Sequence, residues 1–455
     1  MTRTALVYGI ALSGDALATA LVAHGWRVIV ADDLPTDAKR SMAAALATTL
    51  VERPDGGALL DIVEAADIVC PAPGVPETHP VVTAAIARRK PLRTEIDVAY
   101  EWEQERVGGP RPMLAVTGTD GKTTTTLLTA HILDTAGHHA AAVGNTEIPL
   151  VGALATDADM FVVECSSFRL NWTLSFRAEA SVWLNLAPDH QNWHTSMASY
   201  EASKARLWKH RRPTDVAIGF ADDPIVLRNL EAAAAALPGS VIRTFAAEHG
   251  DYRREGDVLV GPRGAIADVS AMTRQLPHDI TNALAAAALV LESGLAAEAD
   301  IRTALATFRH PPHRIEPVAT IGGVRWFNDS KATTPHAALT AIRGFDHIVL
   351  LAGGRNKGLD LAALATEHAR VKAVVGLGET GSMVASAFEP FCPTAVAGSM
   401  EEAVANASSF AVEGDVVLLS PACASFDWYP EGGYPARGED FKRLVLGLAQ
   451  RTRSA

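Results

Sequence analysis

Short apolar runs rich in β-branched residues alternate along the chain with longer Ala- and Leu-rich runs that have the period of a helix. The short runs predict strands and the longer runs predict helices, an alternation typical of α/β layers with mainly parallel sheets. The predicted strands are Ala5–Tyr8, Val28–Ala31, Ile68–Val69, Met113–Thr117, Phe161–Cys165, Ser181–Leu186, Val216–Ile218, Val324–Phe327, Ile348–Leu351, Ala373–Val375 and Val416–Leu419.

Two segments rich in Gly or Pro interrupt this alternation. Residues 106–112 read RVGGPRP, and residues 308–314 read FRHPPHR with two consecutive prolines. Such segments are typical of turns and linkers, and a chain of 455 residues is longer than one compact core usually holds. The sequence therefore predicts three α/β domains, over residues 1–110, 111–310 and 311–455.

Composition narrows the possible partners. The formal net charge is −12, whereas nucleic-acid proteins normally present a basic face, so no nucleic-acid partner is expected. No apolar run approaches the roughly 18 residues that a membrane span needs, and the N-terminus lacks the form of a signal peptide. Four cysteines lie far apart without a CxxC motif, which indicates reduced thiols. We expect a cytoplasmic protein and a monomer.

A candidate phosphate loop spans residues 116–124, VTGTDGKTT, between an apolar strand and a helix that begins near Lys122. Backbone N–H groups of such a turn and of the helix N-terminus form a cradle for anions. Lys122 can reach the outer phosphates, and the Thr123 hydroxyl can bind Mg²⁺. Val116 replaces the first Gly of the full motif, so a plain strand-to-helix turn is the competing interpretation. The loop comprises Gly118, Thr119, Asp120, Gly121, Lys122, Thr123 and Thr124.

Other polar residues follow predicted strands, where ligand sites of α/β sheets form. Glu164 ends the strand FVVEC and could hold Mg²⁺. His190 follows the next strand, and Lys204 is predicted to begin a helix. A solvated carboxylate, a structural histidine and a surface lysine are the respective alternatives. The loops NDSKAT at 328–333 and GGRNKG at 353–358 suggest a second anion-binding surface.

Taken together, these motifs resemble one known family, the Mur ligases of peptidoglycan synthesis. The resemblance runs from about residue 5 to about residue 445. It rests on TGTDGKTTT at 117–125, ECSSF at 164–168, LNLAPDH at 184–190, YEASK at 200–204, His313-Arg314, NDSKATT at 328–334, AGGRNKG at 352–358 and SPACASFD at 420–427. It implies a Rossmann-like N-terminal domain that binds the uridine nucleotide, a central P-loop ATPase domain and a Rossmann-like C-terminal domain that receives the amino acid.

The resemblance also implies the reaction and its cofactors. D-Glutamate would be joined to UDP-N-acetylmuramoyl-L-alanine through an acyl phosphate, with ATP and two Mg²⁺ ions. The implied metal ligands are Thr123, Glu164, His190 and Lys204, the last as a carbamate. The implied ATP contacts beyond the phosphate loop are His278, Asn282, Arg314 and Asp329. The implied substrate contacts are Leu12, Ser13, Asp32, Ala72, Gly74, Asn145, Lys331, Thr333, Lys357, Ser425 and Tyr434.

The chain departs from the family pattern at several places. Arg169 stands where Gln is expected, Asp279 where Asn is expected, and Asn192 where Asp is expected. The segment Trp428–Tyr434 is longer than usual, which affects the amino-acid pocket and the alignment of Tyr434. A sister ligase that adds L-glutamate is therefore an alternative. A folylpolyglutamate synthase-like ligase, which shares the central fold and chemistry, is a second alternative, although the domain before Gly118 weighs against it. A nucleotide-binding scaffold and a simple ATPase or kinase are the alternatives outside this class.

Overall fold

The computed structural model describes residues 2–454 of the chain. It divides into two compact units. The first runs to Leu186 and includes His190–Gln275 and Asp279–Phe308; the second includes Ala187–Asp189, Leu276–His278 and the chain from Arg309 onward. The predicted α/β class with parallel sheets is confirmed, whereas the predicted domain limits at 110/111 and 310/311 stay predictions.

The N-terminal part of the first unit is a four-stranded parallel sheet with the order β3-β2-β1-β4. Its strands are β1 (Thr4–Tyr8), β2 (Arg27–Asp32), β3 (Leu50–Glu52) and β4 (Ile68–Pro71), and its helices are α1 (Leu12–Ala23), α2 (Asp37–Ala45), α3 (Gly56–Glu64), α4 (Pro80–Ala87) and α5 (Glu95–Gln104). Parallel pairing brings the carboxyl ends of β1, β2 and β4 to one edge of the sheet.

The rest of the first unit is built on a six-stranded parallel sheet with the order β10-β9-β8-β5-β7-β6, and a three-stranded antiparallel sheet follows it. The strands are β5 (Met113–Thr117), β6 (Ala140–Gly144), β7 (Met160–Glu164), β8 (Ala180–Trp183), β9 (Val216–Phe220), β10 (Val241–Phe245), β11 (Arg253–Glu255), β12 (Val258–Gly261) and β13 (Gly264–Asp268). The helices are α6 (Lys122–Thr135), α7 (Leu150–Ala153), α8 (Ser167–Leu170), α9 (Met197–Ala205), α10 (Pro224–Ala236), α11 (Pro277–Glu292) and α12 (Glu298–Thr307).

The second unit is a six-stranded sheet with the order β14-β15-β19-β16-β17-β18, parallel except for the β14–β15 pair. Its strands are β14 (Glu316–Ile321), β15 (Val324–Asn328), β16 (Ile348–Gly353), β17 (Val371–Leu377), β18 (Thr394–Ala397) and β19 (Val416–Leu419). Its helices are α13 (Pro335–Ile342), α14 (Gly381–Phe388), α15 (Met400–Phe410) and α16 (Gly433–Ser454). Strands β16 and β19 are fully buried, which explains why they are continuous apolar runs.

Three details correct the sequence predictions. Strand β8 ends at Trp183 rather than at Leu186. Lys204 does not begin a helix but lies in the last turn of α9, whose N-cap is Ser196. Residues 106–112 are more than a linker, because Arg111 is buried and its guanidinium donates to Glu103 and to the carbonyl groups of Leu154, Thr156 and Ala158.

Within residues 2–454, no helix is long and apolar enough to cross a membrane.

Candidate functional site

The candidate phosphate loop follows β5 and leads directly into α6, as predicted. The Lys122 ammonium group donates to the carbonyl oxygens of Gly118 at 2.9 Å and Thr119 at 2.7 Å. The Lys204 ammonium group donates to the same Gly118 oxygen at 2.6 Å. Both lysine side chains therefore reach the N-terminus of a 14-residue helix, where the backbone N–H groups attract phosphate.

Asn185 fixes the shape of this loop, a role that sequence reasoning missed. Its Oδ1 accepts hydrogen bonds from the backbone N–H groups of Thr119 and Asp120, both at 2.9 Å. Its Nδ2 donates to the Asp120 carbonyl oxygen at 3.2 Å. Since Thr119 and Asp120 donate to Asn185, the first turn of α6 is the better source of N–H groups for phosphate.

Gly121 is the N-cap of α6, with a φ of +82°, and an added Cβ would lie 2.7 Å from the Asn282 Oδ1 atom. We expect Gly121→Ala to weaken ATP binding about 10-fold, because the loop must shift or displace Asn282. Gly137, just beyond the other end of α6, has a φ of +92° and no atom within 4 Å of an added Cβ. In both variants, the positive φ of an alanine should cost about 1–2 kcal/mol of unfolding free energy. Gly137→Ala should leave ATP affinity unchanged. Calorimetric titration with ATP checks both variants; equal affinities would contradict the prediction.

Glu164 lies at the same sheet edge as the loop, because β7 pairs with β5 and places Glu164 opposite Val116. The Glu164 side chain is buried, and its Oε1 accepts a hydrogen bond from Asn145 Nδ2 at 2.9 Å. Asn145 follows β6, which pairs with β7 on its other side. The structure thus brings together Asn145, Glu164 and the phosphate loop, all singled out from the sequence.

The second oxygen of Glu164, Oε2, is buried and has no hydrogen-bond partner among the described residues. Buried polar atoms normally have partners, so an orphaned carboxylate oxygen is suited to bind a cation. Carboxylate and hydroxyl oxygens suit Mg²⁺, and Glu164 and Thr123 therefore fit the ion. Within residues 2–454, no group of three or more His, Cys, Asp or Glu side chains could hold a metal, so the predicted set of Thr123, Glu164, His190 and Lys204 stays a prediction.

Lys204 is among the largest fully buried side chains of the described part of the chain. Its ammonium group lies 4.7 Å from the centre of the Tyr200 ring, and the Tyr200 hydroxyl is 3.1 Å from the Thr119 hydroxyl. A surface lysine, the alternative considered from the sequence, is thereby excluded. Tyr200 is a further residue of this site that the sequence did not single out.

The predicted metal ligand His190 and the remaining predicted ATP contacts lie on other segments. His190 follows β8, has a φ of +57°, and packs against the Phe168 ring at 4.5 Å between centroids. Asn282 lies on α11, and its Oδ1 accepts from the Thr125 hydroxyl at 3.3 Å. His278 lies in the first turn of the same helix but belongs to the second unit, as does Arg314. Their roles stay predictions.

The predicted uridine-nucleotide residues share the carboxyl edge of the N-terminal sheet. Asp32 ends β2 and accepts hydrogen bonds from the Ile10 and Leu34 N–H groups and from Lys39. Burial raises the pKa of Asp32, but these hydrogen bonds outweigh it and hold the pKa below its usual value. Ser13 is buried in the first turn of α1, whereas Leu12 beside it is exposed. The predicted loop residues Ala72 and Gly74 follow β4.

Most of the residues that are predicted to bind the incoming amino acid lie at the carboxyl edge of the sheet in the second unit. Asp329, which was predicted as an ATP contact, lies at the same edge after β15. Its carboxylate accepts hydrogen bonds from Ser420 Oγ at 2.8 Å and from the Ile315 N–H group at 3.2 Å. The Lys331 ammonium group lies 3.9 Å from the centre of the Tyr434 ring. Lys357 Nζ is 3.4 Å from Thr333 Oγ1. Ser425, also predicted there, is buried.

Arg437 supports this edge and was not predicted as a site residue. Its guanidinium donates to the Ser330 hydroxyl at 2.9 Å and to the carbonyl oxygens of Ser330 and Cys423. Burial lowers the pKa of Arg437 to about 10. Through these hydrogen bonds, the Arg437 guanidinium joins the loop that carries Lys331 to the loop that carries Ser425. No local sequence pattern marks it.

A second unpredicted cluster joins the loop after β4 to the segment before α9. Glu77 accepts hydrogen bonds from His194 at 2.9 Å, from Thr195 and from Ser199. The other ring nitrogen of His194 is 2.9 Å from Ser167 Oγ. Burial lowers the pKa of His194 although Glu77 opposes that shift. This cluster ties the loop that follows Ala72 and Gly74 to the segment between His190 and Lys204.

Comparison with known proteins defines the class of the enzyme. Residues 116–290 match the Mur ligase middle domain, and residues 313–423 match the family described as Mur ligase, glutamate ligase domain. MurC of Thermotoga maritima, a UDP-N-acetylmuramate-alanine ligase of known structure, has a TM-score of 0.59 at 18% identity, over 98% of this chain and all of that one. Fold and site therefore define an ATP-dependent, amide-forming ligase.

Two relatives narrow the assignment. UDP-N-acetylmuramoylalanine–D-glutamate ligase of Frankia casuarinae is 39% identical, over 97% of this chain and 93% of its own. The enzyme of the same name from Thermobifida fusca is 36% identical, over 98% of this chain and 99% of its own. The chain belongs to the Mur ligase family, in the branch of the UDP-N-acetylmuramoylalanine–D-glutamate ligases. The resemblance drawn from the motifs is confirmed.

Proposed function

We propose that this protein joins D-glutamate to UDP-N-acetylmuramoyl-L-alanine in an ATP-dependent, cytoplasmic step of peptidoglycan synthesis. The observation that carries this proposal is the match to ligases of that name over nearly the whole chain. The match includes the regions on both sides of the phosphate loop, so it favours this reaction over a simple ATPase. It also favours D-glutamate over the L-glutamate and folate-type alternatives.

The chemistry requires activation, because a free carboxylate is a poor acyl donor. The substrate carboxylate attacks the γ-phosphate of ATP, and an acyl phosphate and ADP form. The glutamate amine then attacks the acyl carbon and loses a proton, and the collapse of the tetrahedral intermediate expels inorganic phosphate. Both partners of the first step are anionic, so cations and oriented N–H groups must offset their repulsion.

The residues of the loop suit the first step. Lys122 and the N-terminus of α6 offer positive charge to the phosphates, and Asn185 holds the loop in shape before ATP arrives. Glu164 and Thr123 would hold Mg²⁺, with His190 and a modified Lys204 completing two sites. Bound Mg²⁺ would neutralise charge on the phosphate oxygens. Lys331, Thr333, Lys357, Ser425 and Tyr434 would bind the incoming glutamate.

The test of this function is phosphate release from ATP in the presence of UDP-N-acetylmuramoyl-L-alanine with D-glutamate, L-glutamate or no amino acid. We expect release that depends on D-glutamate. Release that depends on L-glutamate would assign the protein to the sister reaction, and release without any amino acid would favour an ATPase. If none of the three mixtures releases phosphate, the proposal is wrong. Gel filtration of the same sample tests the expected monomer.

We further propose that Lys204 is carbamylated in the active enzyme. The neutral amine would attack CO₂ and lose a proton, which gives an anionic ligand in place of a cation. Only about one lysine in a thousand is neutral at pH 7.4 in water, and burial disfavours the charged form of an amine. The buried position of Lys204 beside the phosphate loop supports the proposal.

Replacement of this lysine should therefore be partly reversible. We expect Lys204→Ala to lower the rate of ligation about 100-fold, and bicarbonate or acetate to restore part of the rate by supplying a carboxylate in the space. Lys209→Ala, at an exposed lysine five positions further on, is the control and should keep full activity. Full activity of Lys204→Ala, or no rescue by either anion, would contradict carbamylation.

A further inference from the structure

Arg169 is a buried arginine whose hydrogen-bonding capacity is only partly used. It lies on α8, and 4% of the residue is exposed. One terminal nitrogen donates to the Glu95 carboxylate, and the other donates to Ser13 Oγ at 2.6 Å. Its Nε atom is buried and has no hydrogen-bond partner among the described residues. A buried cation with an unsatisfied donor is costly.

The side chain of Arg169 lines a small cavity. Ser13 and Gly14 from the first turn of α1 line it as well, together with Ala72, Glu95 and Phe168. Helix α1 has 12 residues, long enough for its N-terminal N–H groups to carry a useful partial positive charge. The cavity therefore has two sources of positive potential, a guanidinium and a helix N-terminus. Two carboxylates oppose them, Glu95 in the lining of the cavity and Asp15 in the first turn of α1.

We propose that Arg169 binds the diphosphate of the uridine-nucleotide substrate, and that Glu95 pairs with the guanidinium only while no diphosphate is bound. This inference rests on the proposed function, which supplies a uridine-diphosphate substrate. It adds Arg169 to the residues that bind the substrate. It also adds an exchange, in which the diphosphate replaces Glu95 as the partner of Arg169.

The guanidinium suits such an exchange. It has five N–H donors in a fixed fork that matches the oxygens of a phosphate, and Glu95 and Ser13 use only part of them. A diphosphate presents more oxygens than one carboxylate and can satisfy the Nε donor too. It also carries more charge, which the nearby N-terminus of α1 favours.

Glu95 is suited to give up this partner. Its other oxygen accepts the Val151 N–H group at 3.1 Å, at the first turn of α7. Burial raises the pKa of Glu95, although Arg169 and the Val151 and Leu150 N–H groups lower it. The ion pair with Arg169 thus offsets only part of the cost of burying the Glu95 carboxylate. After the exchange, Glu95 would keep its contact with the start of α7.

Calorimetric titration of the full chain with UDP, UDP-N-acetylglucosamine, UDP-N-acetylmuramoyl-L-alanine and uridine tests the inference. We expect Arg169→Gln to weaken binding of all three diphosphates at least 10-fold and to change uridine binding less than twofold. Arg169→Lys, which keeps the charge but not the fork, should be intermediate. UDP-N-acetylglucosamine has no carboxylate, so a loss seen only with UDP-N-acetylmuramoyl-L-alanine would assign Arg169 to the carboxylate and overturn the proposal.

Two further variants separate ligand binding from a merely structural ion pair. Glu95→Gln should bind UDP as tightly as the wild type or more tightly, because the competing anion is gone. A loss equal to that of Arg169→Gln would overturn the inference. Arg177→Gln is the matched control: Arg177 is also buried and paired, with Asp215, but does not line the cavity. It should lower the unfolding temperature and leave UDP affinity unchanged.

The outcomes also separate this inference from the proposed function. If the wild type binds UDP-N-acetylmuramoyl-L-alanine and Arg169→Gln binds UDP equally well, only the role of Arg169 is wrong. If the wild type binds none of the uridine diphosphates, both the proposed function and this inference are wrong.

Discussion

Lys122→Ala should lower D-glutamate-dependent phosphate release about 10³-fold, the upper range for the loss of one group that stabilises charge in a transition state. The Lys122 ammonium group lies at the start of α6, where it now donates to two loop carbonyls. An incoming phosphate is a stronger acceptor than either carbonyl, so the lysine would turn to it. Without this cation, the repulsion between the two anionic reactants is no longer offset.

The measurement is the steady-state rate of phosphate release, with Lys209→Ala as the exposed-lysine control. The unfolding temperature of Lys122→Ala should change little, because the side chain is only partly buried and bonds to its own loop. A variant that stays within tenfold of the wild-type rate would show that Lys122 does not act on the phosphates.

Glu164→Gln should lower activity by about 10²–10³-fold without a loss of stability. Glutamine keeps the shape of the side chain and an oxygen for the Asn145 amide, but it removes the negative charge. Because Glu164 Oε2 is buried without a partner in the described structure, the charge contributes nothing to the folded state unless a cation is bound. Residues held for function at a cost in stability behave in this way.

Glu103→Gln is the matched control for this prediction. Glu103 is as buried as Glu164, but both of its oxygens accept hydrogen bonds from Arg111. Its replacement should cost about 3–5 kcal/mol of unfolding free energy, the usual effect of breaking a buried ion pair, and leave the activity of the folded enzyme intact. Urea denaturation and the Mg²⁺ dependence of the rate distinguish the variants. If Glu164→Gln unfolds as easily as Glu103→Gln, Glu164 is structural.

Much of the candidate site in the first unit could be predicted because its residues lie where local patterns are clear. The phosphate loop joins an apolar strand to a helix, and Glu164 ends an apolar strand. In a parallel sheet, neighbouring strands end at one edge. The pattern therefore places Glu164 and the loop together without knowledge of any contact. Asn145 follows β6, which is not among the predicted strands, and its place in the prediction came only from the family resemblance.

Local patterns failed where tertiary contacts decide the conformation. The run that ends at Leu186 predicts a longer strand β8, because only Ser181 and Asn185 in it are polar, but Asn185 bonds to the phosphate loop instead. The helix with Lys204 begins at Met197, seven residues earlier than predicted, because Ser196 is its N-cap. Short polar helices give a weak periodic signal.

The sequence by itself determined the α/β class, the family and the residue types that carry the chemistry, because these depend on local periodicity and on short motifs. Only the tertiary structure decided which distant groups meet. Asn185 holds Thr119 across 66 positions, Arg169 meets Glu95 across 74, and His194 meets Glu77 across 117. Such pairs depend on strand order and on the packing of helices over the sheets, and no stretch of the chain encodes either locally. For the same reason, the unsatisfied atoms of Glu164 and Arg169, from which two of the predictions start, are properties of the folded chain alone.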